Sequence, residues 1–218
     1  MKIAIDISQI QYGTGVSNYV KNLVTKLLEI DKKNEYILFG TSLRQQRKLN
    51  DFAKKFEKNT NLTFKFLPMP ISLAAFILGK LRIFPINKYV GDVDIFHTSD
   101  WIEPKAKKET LKVTTVHDLV PYLFPESTHP KITKTHKSRL KQVKKESSLI
   151  FADSNTTKED LIKFLQIPEE KIKVVYLAAG ENFKPQSEES INGVLEKYKI
   201  TKPYILSVAT QEPRKNIQ

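Results

Sequence analysis

Apolar residues follow two periods along this chain, and the alternation between them predicts its elements. Residues 2–7 (KIAIDI) form a short apolar run of the kind that fills a strand buried on both faces. From Val16 the apolar positions are 16, 19, 20, 23, 24, 27 and 28, the spacing of an amphipathic helix. A strand follows at 35–40, a polar helix near 42–57, a strand at 62–67 and a helix over 71–83. Further strands are predicted at 93–97, 111–116, 148–153 and 171–177. A basic helix over 131–146 separates the second and third of these, and Thr156 with Glu159 predicts a capping box before a helix near 157–165. Strands alternating with helices predict an α/β fold, a Rossmann-like parallel sheet with helices on both faces.

The pattern breaks after Tyr176. Residues 178–190 are polar and read as a linker, 191–200 fit a short helix, and PYILSVAT (203–210) reads as a new apolar strand. A single strand with one loop buries no core of its own. The expected organisation is a Rossmann-like domain over 1–178, a linker over 179–202, and the beginning of a second domain over 203–218.

Charge changes this picture little and narrows the partners. The 36 Lys and Arg against 24 Asp and Glu leave a formal charge of +12, which favours nucleic acid, anionic lipid or a phosphorylated substrate. The absence of cysteine excludes disulfides and thiolate metal sites. The N-terminus enters a strand without the pattern of a signal peptide, and the longest apolar run, 71–79, is too short to cross a bilayer as a helix. A soluble, cytoplasmic protein is expected, so the sequons at Asn61 and Asn155 carry no weight.

Two stretches suggest phosphate chemistry. GTGVSN (13–18) lies between the first strand and the first helix, where backbone N–H groups and a helix N-terminus can face an anion. A dinucleotide fingerprint needs a third glycine, and Asn18 stands there. It also needs an acidic residue ending the second strand, which instead runs Phe39-Gly40-Thr41-Ser42. A phosphate or sugar contact by Gly13 and Gly15 is the reading left. In EPRKN (212–216), Arg214 offers a forked and Lys215 a point-like phosphate contact. Of the four histidines, His97 and His117 end the apolar part of two parallel strands, where α/β proteins place ligands. Asp92-Val-Asp94 spells a metal–diphosphate signature, but it directly precedes a strand and reads as capping or solvation. No histidine pair has zinc spacing.

Together, GTGVSNYVKNL, VDIFHTSDWIEP with VTTVHDLVPYLFPE, IFADSNTTKEDLIKFLQIPEEKIKVVYLAAGENFKP, and LSVATQEPRKNI resemble, in order, a retaining glycosyltransferase of the GT-B family 4 (glycosyltransferase group 1), of the mannosyltransferase-like kind. The resemblance implies two Rossmann-like domains facing a cleft, this chain carrying the N-terminal, acceptor-side one. It implies hexose transfer, with mannose from GDP-mannose as the first guess, from a nucleotide-sugar donor to a glycan or lipid-linked acceptor in cell-surface polysaccharide synthesis. On that resemblance Gly13 and Gly15 approach the donor, and His117 with Asp118 beside it lies next to the donor sugar. Arg214 and Lys215 neutralise the leaving diphosphate, which makes a metal or cofactor unnecessary. His97, Asp100 and Trp101 are acceptor-side candidates.

On the same resemblance the family's E-x7-E motif belongs to the second domain, of which these 218 residues carry only the opening, so they are expected to be a truncated, catalytically incomplete fragment. Residues 131–145 hold Lys131, Lys134, Lys137, Arg139, Lys141, Lys144 and Lys145 with no acid, alongside Ile132, Leu140 and Val143. That composition predicts peripheral contact with anionic membrane at the inner face. The competing class is a non-enzymatic basic protein binding nucleic acid or membrane. No RNP-like aromatic motif or zinc finger supports nucleic acid as a partner.

Overall fold

The computed structural model describes residues 1–99, 101–180, 183–209, 215 and 217. Seven strands are found among them: β1 Lys2–Asp6, β2 Glu35–Thr41, β3 Leu62–Leu67, β4 Ile95–Thr98, β5 Leu111–Val116, β6 Leu149–Ala152 and β7 Ile172–Val174. All pair in parallel, in the order β3-β2-β1-β4-β5-β6-β7. The helices are α1 Gly15–Ile30, α2 Gln46–Lys54, α3 Ile71–Ala74, α4 Asn87–Val90, α5 Val120–Leu123, α6 Pro130–Glu146, α7 Asn155–Leu165 and α8 Glu188–Lys197. The chain winds outward from β1 to β3 and then returns to place β4 on the other side of β1. The strand order therefore reverses between β1 and β4, and in such sheets ligands bind at that point, beyond the carboxyl ends of the strands.

Alternate strand residues face alternate layers. Ala4, Ile37, Phe39 and Phe96 pack against Ala74, Leu78, Ile86 and Val90 on one face. Ile5 and Leu38 pack against Val20, Val24 and Leu28 of α1 and Leu49 and Phe52 of α2 on the other. A third cluster joins Val116, Ile150 and Ala152 to Leu140 and Val143 of α6 and Leu161 and Leu165 of α7. Each fully buried aliphatic side chain contributes about 1.5–3 kcal/mol, so Val20, Val24 and Leu28 alone hold α1 firmly on the sheet.

Some elements differ from the expected ones, for local reasons. The 71–83 helix forms as α3, then widens into π-helical turns over Ala75–Leu81 that end where Arg82 turns left-handed at φ 53. The N-cap of α7 is Ser154, whose hydroxyl accepts from Thr157 N at 3.0 Å; Thr156 lies inside the helix. Short turns over Ser8–Tyr12, Asn87–Val90 and Val120–Leu123 carry too few residues to show a period.

The described residues divide into two units, 1–177 and 178–218. The second contains α8, capped by Ser187 and opened by Glu188 and Glu189, which suit the positive end of the helix dipole. The strand expected at 203–210 does not form over the described residues 203–209, where Tyr204, Ile205, Leu206 and Val208 are exposed. A strand needs a paired neighbour for its backbone groups, and the described residues of this unit provide none.

Candidate functional site

The carboxyl edge of β1, β4, β5 and β6 gathers most of the candidate residues of the first unit. After β1 the chain makes one 3-10 turn and reaches Gly13, whose φ of +69 is a left-handed conformation that a side chain would strain. Thr14 and Ser17 then cap α1 reciprocally, with Thr14 N donating to Ser17 Oγ at 3.1 Å. A Cβ added at Gly15 would meet no protein atom within 4 Å. Glycine at 15 is therefore demanded neither by φ nor by packing, and it leaves the first turn of α1 open to approach.

His117 follows β5 directly. Its Nδ1 lies 3.2 Å from Asp153 Oδ2 at the end of β6. A carboxylate only accepts, so Nδ1 carries the proton that lies between them. Nε2 has no hydrogen-bond partner among the described residues. The ring of Tyr19, from α1, meets the imidazole edge-on at 4.9 Å between centroids. Tyr19 is itself held by Thr115 Oγ1, 2.8 Å from its hydroxyl. Burial pushes the Tyr19 phenol pKa up, against the Thr115 hydrogen bond. Thr157 Oγ1 stands 3.3 Å from Asp153 Oδ1 and 3.1 Å from the His117 carbonyl, which ties α7 to the same corner.

Asp118, the carboxylate next to His117 in sequence, is exposed, and its Oδ1 accepts from Val120 N at 3.0 Å. Asp118 thus receives the first N–H of α5, and the carboxylate on the His117 ring is that of Asp153. His97 is 5% exposed and its Nε2 lies 2.9 Å from Thr115 Oγ1. Burial, then the neighbouring His117 and Arg139 charges, push its pKa down to about 4, so it is a neutral interior imidazole. Trp101 packs edge-on against His136 at 4.4 Å and lines a small cleft with Asp6, Ser8, Gln9, Tyr12, Ile71 and Ile102. Lys215 is exposed and belongs to the second unit. Asp100 and Arg214 lie outside the described residues.

Beneath this edge sits a charged cluster that the sequence did not reveal. Glu103 accepts from Thr98 Oγ1 at 2.8 Å and pairs with Lys112 Nζ at 2.8 Å and Arg139 Nε at 3.8 Å. Arg139 Nη2 donates to Thr114 Oγ1 at 2.8 Å and to the Thr115 carbonyl at 3.1 Å. Lys112 also reaches Glu146 at 3.1 Å, and Arg82 pairs with the same carboxylate. Asp6 is 4% exposed and its carboxyl accepts from Ser8 N and Oγ at 2.9 and 2.6 Å. Burial raises its pKa to about 6, against the Ser8 hydrogen bonds and with a further push from Glu103. One signal was available: Lys112 shares a strand face with Thr114 and Val116, so a cation was already written into an inward register.

The cluster also shows which side of the basic helix turns inward: Arg139, Leu140 and Val143 are buried, while Ile132, Lys131, Lys134, Lys141, Lys144 and Lys145 are exposed. Asp92 pairs with Lys107 at 2.6 Å and Asp94 accepts from Lys2 N at 2.6 Å, at the opposite, amino edge of the sheet. The aspartate pair is thus taken up by an ion pair and a backbone hydrogen bond. No group of three or more metal-ligating side chains occurs among the described residues.

The chain belongs to Glycosyltransferase Family 4, whose model matches residues 13–178. It is 27% identical over 226 aligned residues to O-antigen chain mannosyltransferase B of Escherichia coli, covering 100% of this chain and 58% of the relative. It is 31% identical over 110 residues to the serotype-specific mannosyltransferase WbdA of Escherichia coli, covering 49% of this chain and 13% of that one. Among solved structures, Anabaena Alr3699/HepE in complex with UDP aligns with a TM-score of 0.49 at 14% identity, covering 91% of this chain and 50% of the other. The chain thus spans little more than half the length of O-antigen chain mannosyltransferase B.

Proposed function

We propose that these residues form the acceptor-side domain of a retaining glycosyltransferase that moves a hexose from a nucleoside-diphosphate sugar to a glycan or lipid-linked acceptor in cell-surface polysaccharide synthesis. The observation that carries the reading is the His117 imidazole: its Nδ1 is held by Asp153, and its Nε2 is left without a partner at the carboxyl edge of the sheet. The mannosyltransferase relatives make GDP-mannose the first donor to try.

In that reaction the bond from the anomeric carbon to the diphosphate oxygen breaks, and a bond to the acceptor oxygen forms on the same face. The acceptor proton passes to the departing diphosphate. His117 Nε2 accepts from a sugar hydroxyl and fixes the sugar, with Asp153 holding the tautomer. Gly13 and Gly15 bring backbone N–H groups and the N-terminus of the 16-residue helix α1 towards the phosphates. Arg214 and Lys215 supply positive charge as the diphosphate leaves. No step requires a metal. The described residues of 178–218 supply one helix and no strand, so the 218 residues alone are expected to bind donor poorly and transfer no sugar.

The test is release of nucleoside diphosphate from a panel of sugar donors, using the polypeptide of the whole reading frame beside the 218-residue chain. Release with GDP-mannose by the former and none by the latter is expected. Gly15→Ala should lower that release about 10-fold or more while leaving thermal unfolding unchanged, because no protein atom opposes the added methyl. No release from any donor, combined with a salt-dependent shift of nucleic acid, would replace the enzyme reading with the binding-protein one.

A further inference from the structure

One ring nitrogen of the candidate site is neither paired nor wet. His117 Nε2 is shielded from solvent and has no hydrogen-bond partner among the described residues. A buried polar atom left unpaired is costly, and turning the imidazole towards water would relieve that cost. Among the described residues the ring's hydrogen bond is the one between Nδ1 and Asp153 Oδ2, at 3.2 Å. One hydrogen bond leaves a ring free to pivot, so a second contact has to set its plane.

Tyr19 supplies that contact. Its ring meets the imidazole at 78° with centroids 4.9 Å apart, an edge-to-face pairing. Its hydroxyl lies 2.8 Å from Thr115 Oγ1, and Thr115 is 2% exposed. The same Thr115 oxygen lies 2.9 Å from His97 Nε2. Thr115 precedes His117 by two positions, the spacing that puts side chains on one face of a strand. Tyr19 is therefore fixed at both ends, by α1 at its backbone and by a strand hydroxyl at its tip, with the imidazole against the ring between them.

Seating α1 on the sheet does not require this tyrosine. Val20, Val24 and Leu28 are buried in the cluster with Ile5 and Leu38 and hold the helix there. Tyr19 is only partly buried, and any apolar residue would add to that packing. What a tyrosine adds is direction: a hydroxyl that reaches Thr115 fixes where the ring stands. Burial raises the phenol pKa, so the hydroxyl keeps its proton for this bond.

We propose that Tyr19 is a positioning residue: anchored through Thr115, its ring holds the His117 imidazole in the plane that keeps Nδ1 on Asp153 and leaves Nε2 unpaired. His97 belongs to the same line and acts through the Thr115 hydroxyl. An Nε2 already set in place meets a sugar hydroxyl without first reorganising. Tyr19 stands one turn along α1 from Gly15, so the helix end turned towards the donor phosphates also carries the brace. These last two consequences rest on the proposed function, whereas the bracing of the imidazole does not.

The test reads the imidazole itself, by nuclear magnetic resonance of the nitrogen-labelled 218-residue chain without sugar donor. Long-range proton–nitrogen spectra report which ring nitrogen carries the proton, and the His117 signals are those missing from His117→Gln. At about pH 9, above the ordinary imidazole range, wild type is expected to show the Nδ1–H form alone, with a resolved signal for that proton. Tyr19→Leu keeps apolar bulk on α1 but removes ring and hydroxyl. It is expected to show both tautomers, with about 10-fold or faster exchange of the Nδ1 proton with water. Tyr19→Phe, which keeps the ring, should recover the wild-type tautomer. Val24→Ala weakens the packing of the same helix and should leave the His117 signals unchanged. A wild-type His117 signature in Tyr19→Leu would overturn the proposal, and so would an equal disturbance in Val24→Ala. In the polypeptide of the whole reading frame, Tyr19→Leu is expected to lower kcat about 10-fold, with the donor KM within about threefold of wild type. Unchanged transfer beside a disturbed imidazole would leave the brace standing and sink the part given to His117 in the reaction.

Discussion

Asp6 and His97 are buried titratable groups a few residues from the open edge of the sheet, and they pull stability in opposite directions with pH. Folding raises the Asp6 pKa from the ordinary carboxylate range near 4 to about 6, so the folded state holds the proton more tightly. Its contribution is therefore full below about pH 4 and is lost as pH rises through 6. Folding lowers the His97 pKa to about 4, so its contribution is full above about pH 6.5 and is lost as pH falls towards 4. Asp6→Asn keeps an oxygen for Ser8 and removes the buried charge. Its stability relative to wild type should improve by on the order of 2–3 kcal/mol between pH 4 and pH 7.5. Chemical denaturation of both proteins at the two pH values measures this, and a difference that does not change with pH would contradict it. His117 and Asp153 show why the candidate site was only half legible in the sequence. His117 was visible because it ends a strand pattern, but its carboxylate partner, Asp153, lies 36 positions away. Only the parallel pairing of β5 with β6 brings the two together.

α6 shows the same limit at the level of an element. Its length and basic character were readable from the sequence, because a run of lysines without acids at helical spacing has one obvious periodicity. Which cation turns inward was not, since the contacts of Arg139 with Glu103 and Thr114 are tertiary and leave no mark in the spacing of the run. Arg139→Met should destabilise the fold by about 3–5 kcal/mol, because it leaves Glu103 buried with one cation fewer. Lys141→Met, on the exposed side, should stay within about 0.5 kcal/mol. Urea unfolding of both variants checks the pair, and equal losses would mean that the buried cluster contributes nothing particular. The strands and long helices were legible from the apolar period alone. The π-helical turns after α3 were not, since they end at Arg82, whose side-chain partners Glu103 and Glu146 lie 21 and 64 positions away.

At the scale of the whole molecule, the first unit holds all seven described strands and its own three-part core, and the second holds one helix without buried residues. Limited proteolysis should therefore cut within 178–210 first and leave a resistant piece ending near Leu177. That piece should unfold in a single thermal transition close to that of the 218-residue chain. Early cuts within β1–β7, or loss of the transition on trimming, would show that the sheet depends on the second unit. The parallel sheet was legible because each long element carries its own period, and the family was legible from the resemblance of four stretches of sequence in order. Over the described residues 203–209 no strand forms, because apolar composition suits one but no described neighbour pairs with it.

In the proposed reaction His117, held by Asp153, positions the donor sugar. The decisive measurement is the rate of hexose transfer at saturating donor for wild type, His117→Ala, Asp153→Asn and Asp118→Ala in the polypeptide of the whole reading frame. A fall of about 100-fold is expected for His117→Ala, about 10-fold for Asp153→Asn, and little change for Asp118→Ala. Transfer by His117→Ala at the wild-type rate would contradict it.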